Sequence, residues 1–180
     1  MHPSQSHVGV QVWSKSFCGS SAARWHRNSR ALWVQTTQDV AIVRPHIKML
    51  AGDYLCGEYL ARDRGLDPQC KLCRSPSGLL SPPEDLEHLL TKCRATSDIR
   101  QSKLPGLLNT IAQFSPHNAL LCNSNPSQLT QFILDCTSLN LTSDARIAPS
   151  SPGFISITRT CSDLIFAIHR DRTQQLKILV

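Results

Sequence analysis

Four residues near the middle of the chain, Cys70, Cys73, His88 and Cys93, constrain it more than any others, because they follow the pattern Cys-x2-Cys-x14-His-x4-Cys. Three thiolates and one imidazole form a regular ligand set for a tetrahedral structural Zn2+ ion. A two-residue gap lets two thiolates bind one ion from a single tight turn, whose amide N–H groups can point at the sulfurs. The spacing therefore predicts a zinc cofactor held by these four side chains.

Two other interpretations of these residues stay open at this point. Eight cysteines and seven histidines in 180 residues can align by chance within an ordinary core. Cys70 and Cys73 can also form a redox pair, although such a pair normally opens a helix after a strand, and no strand pattern precedes Cys70. Cys56, fourteen residues before Cys70, is a possible substitute ligand.

The remaining cysteines are expected to be free thiols: Cys18, Cys56, Cys122, Cys136 and Cys161. The start of the chain lacks the apolar stretch of a secretory signal, which indicates an intracellular, nuclear or cytoplasmic, reducing compartment. Cys136 and Cys161 fall on apolar helix faces and are predicted to be small buried hydrophobic residues. His46 and His169 are predicted to be packing or surface histidines.

The gap between the last two ligands predicts the local shape of the site. Positions five residues apart on a regular α-helix point about 140° apart, so His88 and Cys93 cannot both face one ion from an undistorted helix. We therefore expect a short helix that ends near Lys92, a break at Cys93–Ala95, and a new helix start at Thr96 or Ser97.

The chain reads as mostly α, in three regions. Residues 1–38 are rich in Ser, Gln and Arg without sustained periodicity, and they are predicted to be an irregular, disordered, basic tail. Residues 39–104 are predicted to form a helical zinc-binding module. Residues 105–180 are predicted to form a short C-terminal helical bundle.

Individual helices are predicted from start signals and apolar spacing. Ser-Pro-Pro-Glu at 81–84 predicts a helix start, with the serine as cap and the glutamate completing a capping box. Asn-Pro-Ser-Gln at 125–128 repeats this signal. Residues 144–153 are predicted to be a loop, and residues 158–177 the last helix. The apolar stripe expected after the second signal comprises Leu129, Phe132, Ile133, Cys136 and Leu139.

The net charge of +6 is concentrated at the start of the chain. Residues 1–48 carry six basic residues and one acid, whereas residues 49–103 carry eight of each. A basic arm on a near-neutral body allows a polyanionic partner such as nucleic acid. Four cations lie beside the predicted ligands and are expected to contact phosphates: Lys71, Arg74, Lys92 and Arg94.

Membrane and enzyme signals are missing from the sequence. No apolar run approaches the ~18 residues of a membrane helix, so no membrane partner is expected. His169-Arg170-Asp171 looks like the start of a kinase catalytic loop, but Leu176 stands where that loop needs an asparagine. Gly-x-Ser-x-Gly and P-loop motifs are absent. The chain is therefore predicted not to be an enzyme and to have no small-molecule substrate.

Three blocks of sequence resemble the C-terminal region of reverse transcriptase polyproteins from non-LTR (LINE-like) retrotransposons. They are residues 44–56 (RPHIKMLAGDYLC), residues 86–96 (LEHLLTKCRAT), which follow Cys70 and Cys73, and residues 161–172 (CSDLIFAIHRDR). In that family the region follows the polymerase domain and is thought to hold template RNA or target DNA, and the four predicted zinc ligands match the family's ligands. The polymerase's catalytic Tyr-x-Asp-Asp signature is absent here, so the resemblance implies a truncated, non-catalytic fragment of such a transposable element.

Two functions from different classes follow. The first is a zinc-stabilised nucleic-acid-binding module that holds RNA or DNA with low sequence specificity. The second is a structural or protein-interaction module in which zinc only closes the fold, or a non-functional remnant of an element. The neutral sum over residues 49–103 favours the second, as does the lack of the aromatic residues that single-strand binders interleave with basic ones.

Overall fold

The computed structural model describes residues 40–50, 54–73, 81–136 and 151–179. Within these ranges the secondary structure is helical, apart from an isolated antiparallel bridge between Gln69 and Pro83. The mostly α class, with a Cys3His cluster followed by helices, is thus confirmed. The predicted tail, residues 1–38, lies outside the described residues.

Six α-helices and three short helical turns follow one another along the described chain. The α-helices are α1 (Val40–Leu50), α2 (Gly57–Arg64), α3 (Ser97–Phe114), α4 (Pro116–Ser124), α5 (Pro126–Leu134) and α6 (Pro152–Ile178). Between α2 and α3 lie a 3-10 turn (Lys71–Cys73), a π-helical turn (His88–Lys92) and a second 3-10 turn (Arg94–Thr96).

Proline at the first helical position, preceded by a polar cap, starts three of these helices. Asn125 Oδ1 accepts hydrogen bonds from the amides of Ser127 and Gln128 at the start of α5, as predicted. Ser151 Oγ accepts one from Phe154 at the start of α6. The last helix therefore begins at 152 rather than 158, and Pro152 and Gly153 belong to it, because Ser-Pro supplies both the cap and the first turn.

The helix start predicted at Ser81 is wrong. Residues 81–85 are not helical, and the helix begins after Asp85, whose carboxylate accepts a hydrogen bond of 2.6 Å from the amide of His88. The carboxylate of Glu84, which was expected to complete a capping box, instead pairs with Arg172 of α6. A buried arginine outcompetes a local amide for this carboxylate because a charged, bidentate partner binds it more strongly.

Helix α6 is the centre of the fold, and it packs against α1, α3 and α5. Its inward face buries Phe154, Ile157, Leu164, Ile165 and Ile168 together with Cys161. The same core takes in Leu89 and Leu90 from the π-helical turn, Leu129, Phe132 and Ile133 of the predicted stripe on α5, and Cys136 just after the end of α5. Leu139, the last residue of that stripe, lies outside the described residues. Helix α3 runs across residue 104, so the described parts of residues 39–104 and 105–180 share one core.

His46 is a buried packing histidine, as predicted. Its Nε2 lies 2.9 Å from the carbonyl oxygen of Leu134 and its Nδ1 lies 2.9 Å from Ser162 Oγ. Burial lowers the pKa of His46 to about 4, although the Leu134 carbonyl and the charge of Asp135 act in the opposite direction. In a neutral ring Nε2–H donates to the Leu134 carbonyl and Nδ1 accepts from the Ser162 hydroxyl, whose single proton is shared with the Thr158 carbonyl at 3.0 Å.

The stability of the fold should therefore fall in mild acid. The unfolded histidine, with a pKa of about 6.5, takes up its proton before the folded one, so stability is lost as the pH falls below that value. Between pH 8 and pH 5 we expect the wild type to lose about 2 kcal/mol more of its free energy of unfolding than His46→Gln. Urea denaturation at both pH values measures this, and the exposed His117→Gln is the matched control. Equal pH dependence of His46→Gln and wild type would contradict the assignment.

Candidate metal centre

The four predicted ligand residues lie together in the structure. One ligand atom from each of Cys70, Cys73, His88 and Cys93 lies within 4.8 Å of the other three. Cys93 Sγ is 3.9 Å from Cys70 Sγ and 3.6 Å from Cys73 Sγ, and Cys73 Sγ is 3.4 Å from His88 Nε2. Atoms bound to one Zn2+ at tetrahedral angles stand ~3.3–3.8 Å apart, given Zn–S ~2.3 Å and Zn–N ~2.0 Å. The cluster therefore has the dimensions of a metal site.

The first two ligands come from a tight turn, as the two-residue gap predicts. The amide of Cys70 donates a hydrogen bond to the Pro82 carbonyl at 2.9 Å. Three residues on, the amide of Cys73 donates to the Cys70 carbonyl at 3.2 Å, which closes the turn. The 3-10 turn Lys71–Cys73 brings the second sulfur alongside the first. The extended pairing with Pro82 positions Cys70 against the segment that carries the other two ligands.

A π-helical turn, rather than an α-helix, supplies the other two ligands. The amide of Cys93 donates to the carbonyl of His88 at 2.6 Å, so the hydrogen bond spans five residues. In such a turn, residues five apart are stacked one above the other, which brings His88 and Cys93 to the same side. The predicted end near Lys92 and the new helix at Ser97 are confirmed, but the break predicted at Cys93–Ala95 is limited to Cys93, because Arg94–Thr96 forms a 3-10 turn. The wider π turn is therefore the distortion of the helix that is needed for two residues five positions apart, His88 and Cys93, to face one ion.

Burial and charge in the cluster favour a thiolate at its centre. Cys70 and Cys93 are fully buried and His88 is nearly so. The hydrogen bond from Cys70 lowers the pKa of Cys93 well below its ordinary value, with further contributions from His88 and Cys73, although burial opposes the shift. The same hydrogen bond, followed by burial, raises the pKa of Cys70. A divalent cation among these sulfurs would hold all three as thiolates.

A buried carboxylate lies beside the sulfurs. Glu84 Oε1 is 3.9 Å from Cys70 Sγ, and both carboxylate oxygens are bound at 2.8 Å by the Arg172 guanidinium. The backbone amide of Gly57 donates to Glu84 Oε2 at 2.8 Å. A β-carbon at Gly57 would overlap the Pro68 carbonyl, so this close approach requires glycine. The pair links the metal centre to α6.

Sequence reasoning did not find the residues that support the site from a distance. Arg172 and Glu84 are 88 positions apart in the sequence. Gln175 and Ala95 are 80 positions apart, and Gln175 Nε2 donates to the Ala95 carbonyl at 3.0 Å. Arg100, on α3, donates to Thr96 at 2.7 Å, and it interacts electrostatically with Cys93 and Cys73. The only sequence signals for these contacts were two polar residues, Arg172 and Gln175, on the last helix, whose inner face was expected to be apolar.

The cations predicted to contact nucleic acid have different surroundings. Lys71 and Arg94 are exposed, and they immediately follow Cys70 and Cys93. Lys92 is also exposed, but its ammonium pairs with the Glu87 carboxylate. Arg74 lies outside the described residues.

The other cysteines that the structure describes do not join the cluster. Cys56 is a free, buried thiol, and burial raises its pKa. Cys122, Cys136 and Cys161 are likewise free and buried, as predicted for Cys136 and Cys161. Cys18 lies outside the described residues. His169 packs against Tyr54, with its Nδ1 2.9 Å from the tyrosine hydroxyl.

Comparisons with known proteins give no match: no family model, no curated protein and no solved structure is significantly similar to this chain. Among the described residues, no helix combines the length and the apolar character needed to cross a membrane. The donor set and its geometry are therefore the basis for a functional proposal.

Proposed function

We propose that this chain is a non-catalytic, zinc-stabilised nucleic-acid-binding module, of the kind found after the polymerase domain in LINE-like reverse transcriptases. The observation that carries the proposal is the Cys3His cluster with exposed cations directly after two of its sulfurs. The three sequence blocks that resemble that family also support nucleic-acid binding. The module would hold RNA or DNA without chemistry of its own.

The donor set favours zinc over other ions. Thiolate ligands select soft or borderline metals, and a three-sulfur, one-nitrogen tetrahedron is a common structural zinc site. Catalytic zinc sites keep one position for water or substrate, whereas this cluster provides four protein ligands. The ion would therefore stabilise the fold.

The exposed surface is more basic than the composition indicates. Among the described residues classed as exposed, only two are acidic, Asp67 and Asp98. The exposed cations are Arg44, Arg64, Lys71, Lys92, Arg94, Lys103, Arg159, Arg170 and Lys177. Several acids of the neutral segment 49–103 are used internally: Glu84 pairs with Arg172, and Asp85 accepts from the amide of His88. A surface of this kind attracts phosphates whatever their sequence.

Lys71 and Arg94 are the best placed phosphate contacts at the metal centre. Each follows a ligand, and the sulfurs of these ligands, Cys70 and Cys93, lie 3.9 Å apart. Neither cation forms an ion pair with another described residue. Three thiolates and one Zn2+ leave a net charge of −1, which Arg100 can offset from inside. Lys71 and Arg94 therefore remain available to an external anion.

A purely structural role is the second candidate, favoured by the Glu84–Arg172 pair, which joins the cluster to the core. The replacement of both Lys71 and Arg94 by glutamine distinguishes the nucleic-acid-binding function from the purely structural role. We expect zinc content to stay the same and the slope of log K against log salt to become shallower by ~1.4 for single strands or ~1.8 for duplexes. Lys92→Gln, whose ammonium is already paired, should change the slope less.

Fluorescence anisotropy of labelled RNA and DNA across a salt series measures the slope, and metal analysis measures the zinc. An unchanged slope, or no binding at low salt, would contradict the nucleic-acid proposal. Loss of zinc in the double variant would show that these cations support the metal centre, which favours the structural role.

A further inference from the structure

An open groove lies between the end of α1, the segment before α2 and the last turns of α6. Its volume is about 550 Å3, and its described lining includes Lys48, Tyr54, Leu55, His169 and Lys177. Most of the lining is apolar, yet two lysines border it, and none of the described lining residues is acidic; Arg172, which also lines it, is already paired with Glu84. A ligand that fits this groove is an anion with a flat or apolar part.

The floor of the groove is built from flat side chains held in place. The Tyr54 hydroxyl is 2.9 Å from His169 Nδ1, and the two rings meet edge-to-face with centroids 5.7 Å apart. The Arg172 guanidinium lies 5.9 Å from the centre of the Tyr54 ring. Tyr54 is buried, whereas the His169 ring and Leu55 reach the surface. Histidine rings and guanidinium planes are surfaces on which unpaired bases stack.

The charges at the rim suit the phosphates beside such a base. Lys48 lies in the last turn of α1 and Lys177 in the last turn of α6, and both residues line the groove. Burial, and then the charges of Arg172 and Lys48, lower the pKa of His169. Gln175, on the neighbouring face of α6, contacts Ala95 directly after Arg94. The groove and the cluster thus both lie near the last turns of α6, with the Arg172–Glu84 pair between them.

We infer that this groove binds one unpaired nucleobase of a single strand, with Lys48 and Lys177 on the adjoining phosphates and His169 and Leu55 against the base. The inference rests on the proposed function and specifies its ligand as single-stranded. In a duplex the bases are already stacked and paired, and placing one in the groove would cost that stacking. The Arg172–Glu84 pair connects this groove to the Cys3His cluster, so its contacts add to those of Lys71 and Arg94.

The first test compares three labelled probes with the full chain as purified: dT20, a 20-residue abasic DNA strand and a 20-bp duplex. At 50 mM salt we expect dT20 to bind at least ~5-fold more tightly than the abasic strand, the lower limit for stacking of one base. Equal binding of dT20 and the abasic strand would overturn the inference while leaving the proposed function standing. Failure of all three probes to bind would overturn both.

Matched variants locate the base site. His169→Ala and Leu55→Ala should each reduce the preference for dT20 over the abasic strand, whereas His117→Ala and Leu120→Ala, which change exposed residues of α4, should keep it. Lys48→Gln with Lys177→Gln should make the salt slope for dT20 shallower by ~1.4, because each lysine neutralises one phosphate. Circular dichroism verifies that each variant is folded. If folded His169→Ala and Leu55→Ala both keep the full preference, the groove is not the base site.

Discussion

Replacement of Cys93 by serine should abolish cooperative folding of the protein at room temperature. Cys93 is the sulfur that contacts both other thiols, at 3.9 and 3.6 Å, and it is fully buried. Structural zinc contributes ~10–16 kcal/mol in finger peptides, which equals the whole stability of an ordinary domain of ~5–15 kcal/mol. Because Leu89 and Leu90, next to the ligands, belong to the core that α5 and α6 share, the loss should spread beyond the metal centre.

Thermal unfolding followed by circular dichroism measures this effect, with and without a zinc chelator. The wild type in chelator should behave like Cys93→Ser, and added zinc should restore only the wild type. Cys122→Ala is the matched control, since Cys122 is also a buried free thiol but does not belong to the cluster. Cooperative, zinc-independent unfolding of Cys93→Ser at the wild-type temperature would refute a structural metal.

Replacement of Arg172 by methionine should produce the second largest effect. The change leaves the Glu84 carboxylate buried, 3.9 Å from the Cys70 sulfur, without its bidentate partner. Removal of one member of a buried ion pair costs ~3–5 kcal/mol, because the other charge stays uncompensated. We therefore expect a decrease of this size in the free energy of unfolding.

A double-mutant cycle distinguishes the ion pair from simple packing. Glu84→Gln combined with Arg172→Met should be more stable than Arg172→Met alone, because the amide carries no charge and still accepts from the Gly57 amide. Arg170→Met, an exposed position on the same helix, should change stability by less than ~0.5 kcal/mol. Urea denaturation of zinc-loaded wild type, Glu84→Gln, Arg172→Met and the double variant measures the cycle, and Arg170→Met is measured beside them. A double variant as unstable as Arg172→Met would mean that lost packing causes the effect.

Local signals determined the features that depend on residues close together in sequence. The spacing of Cys70, Cys73, His88 and Cys93 predicted that these four side chains lie together, and Asn125 before Pro126 predicted the start of α5. These predictions succeeded because ligand geometry and helix capping are decided within a few residues. The angle between positions 88 and 93 also predicted a distorted helix, although it did not specify a π turn.

Tertiary structure alone decided the fate of Glu84, which the sequence suggested as a capping residue. Its partner Arg172 comes from a helix 88 positions away, and only the packing of α6 against the metal centre brings the two together. Tyr54 and His169 are likewise 115 positions apart and meet in one groove. Single-sequence patterns report neighbours along the chain, and a charged or aromatic pair that forms across the core leaves no periodic signal. The sequence by itself therefore determined the four clustered residues and the starts of α3 and α5, whereas tertiary packing decided which buried ion pair lies beside the cluster and which side chains line the groove.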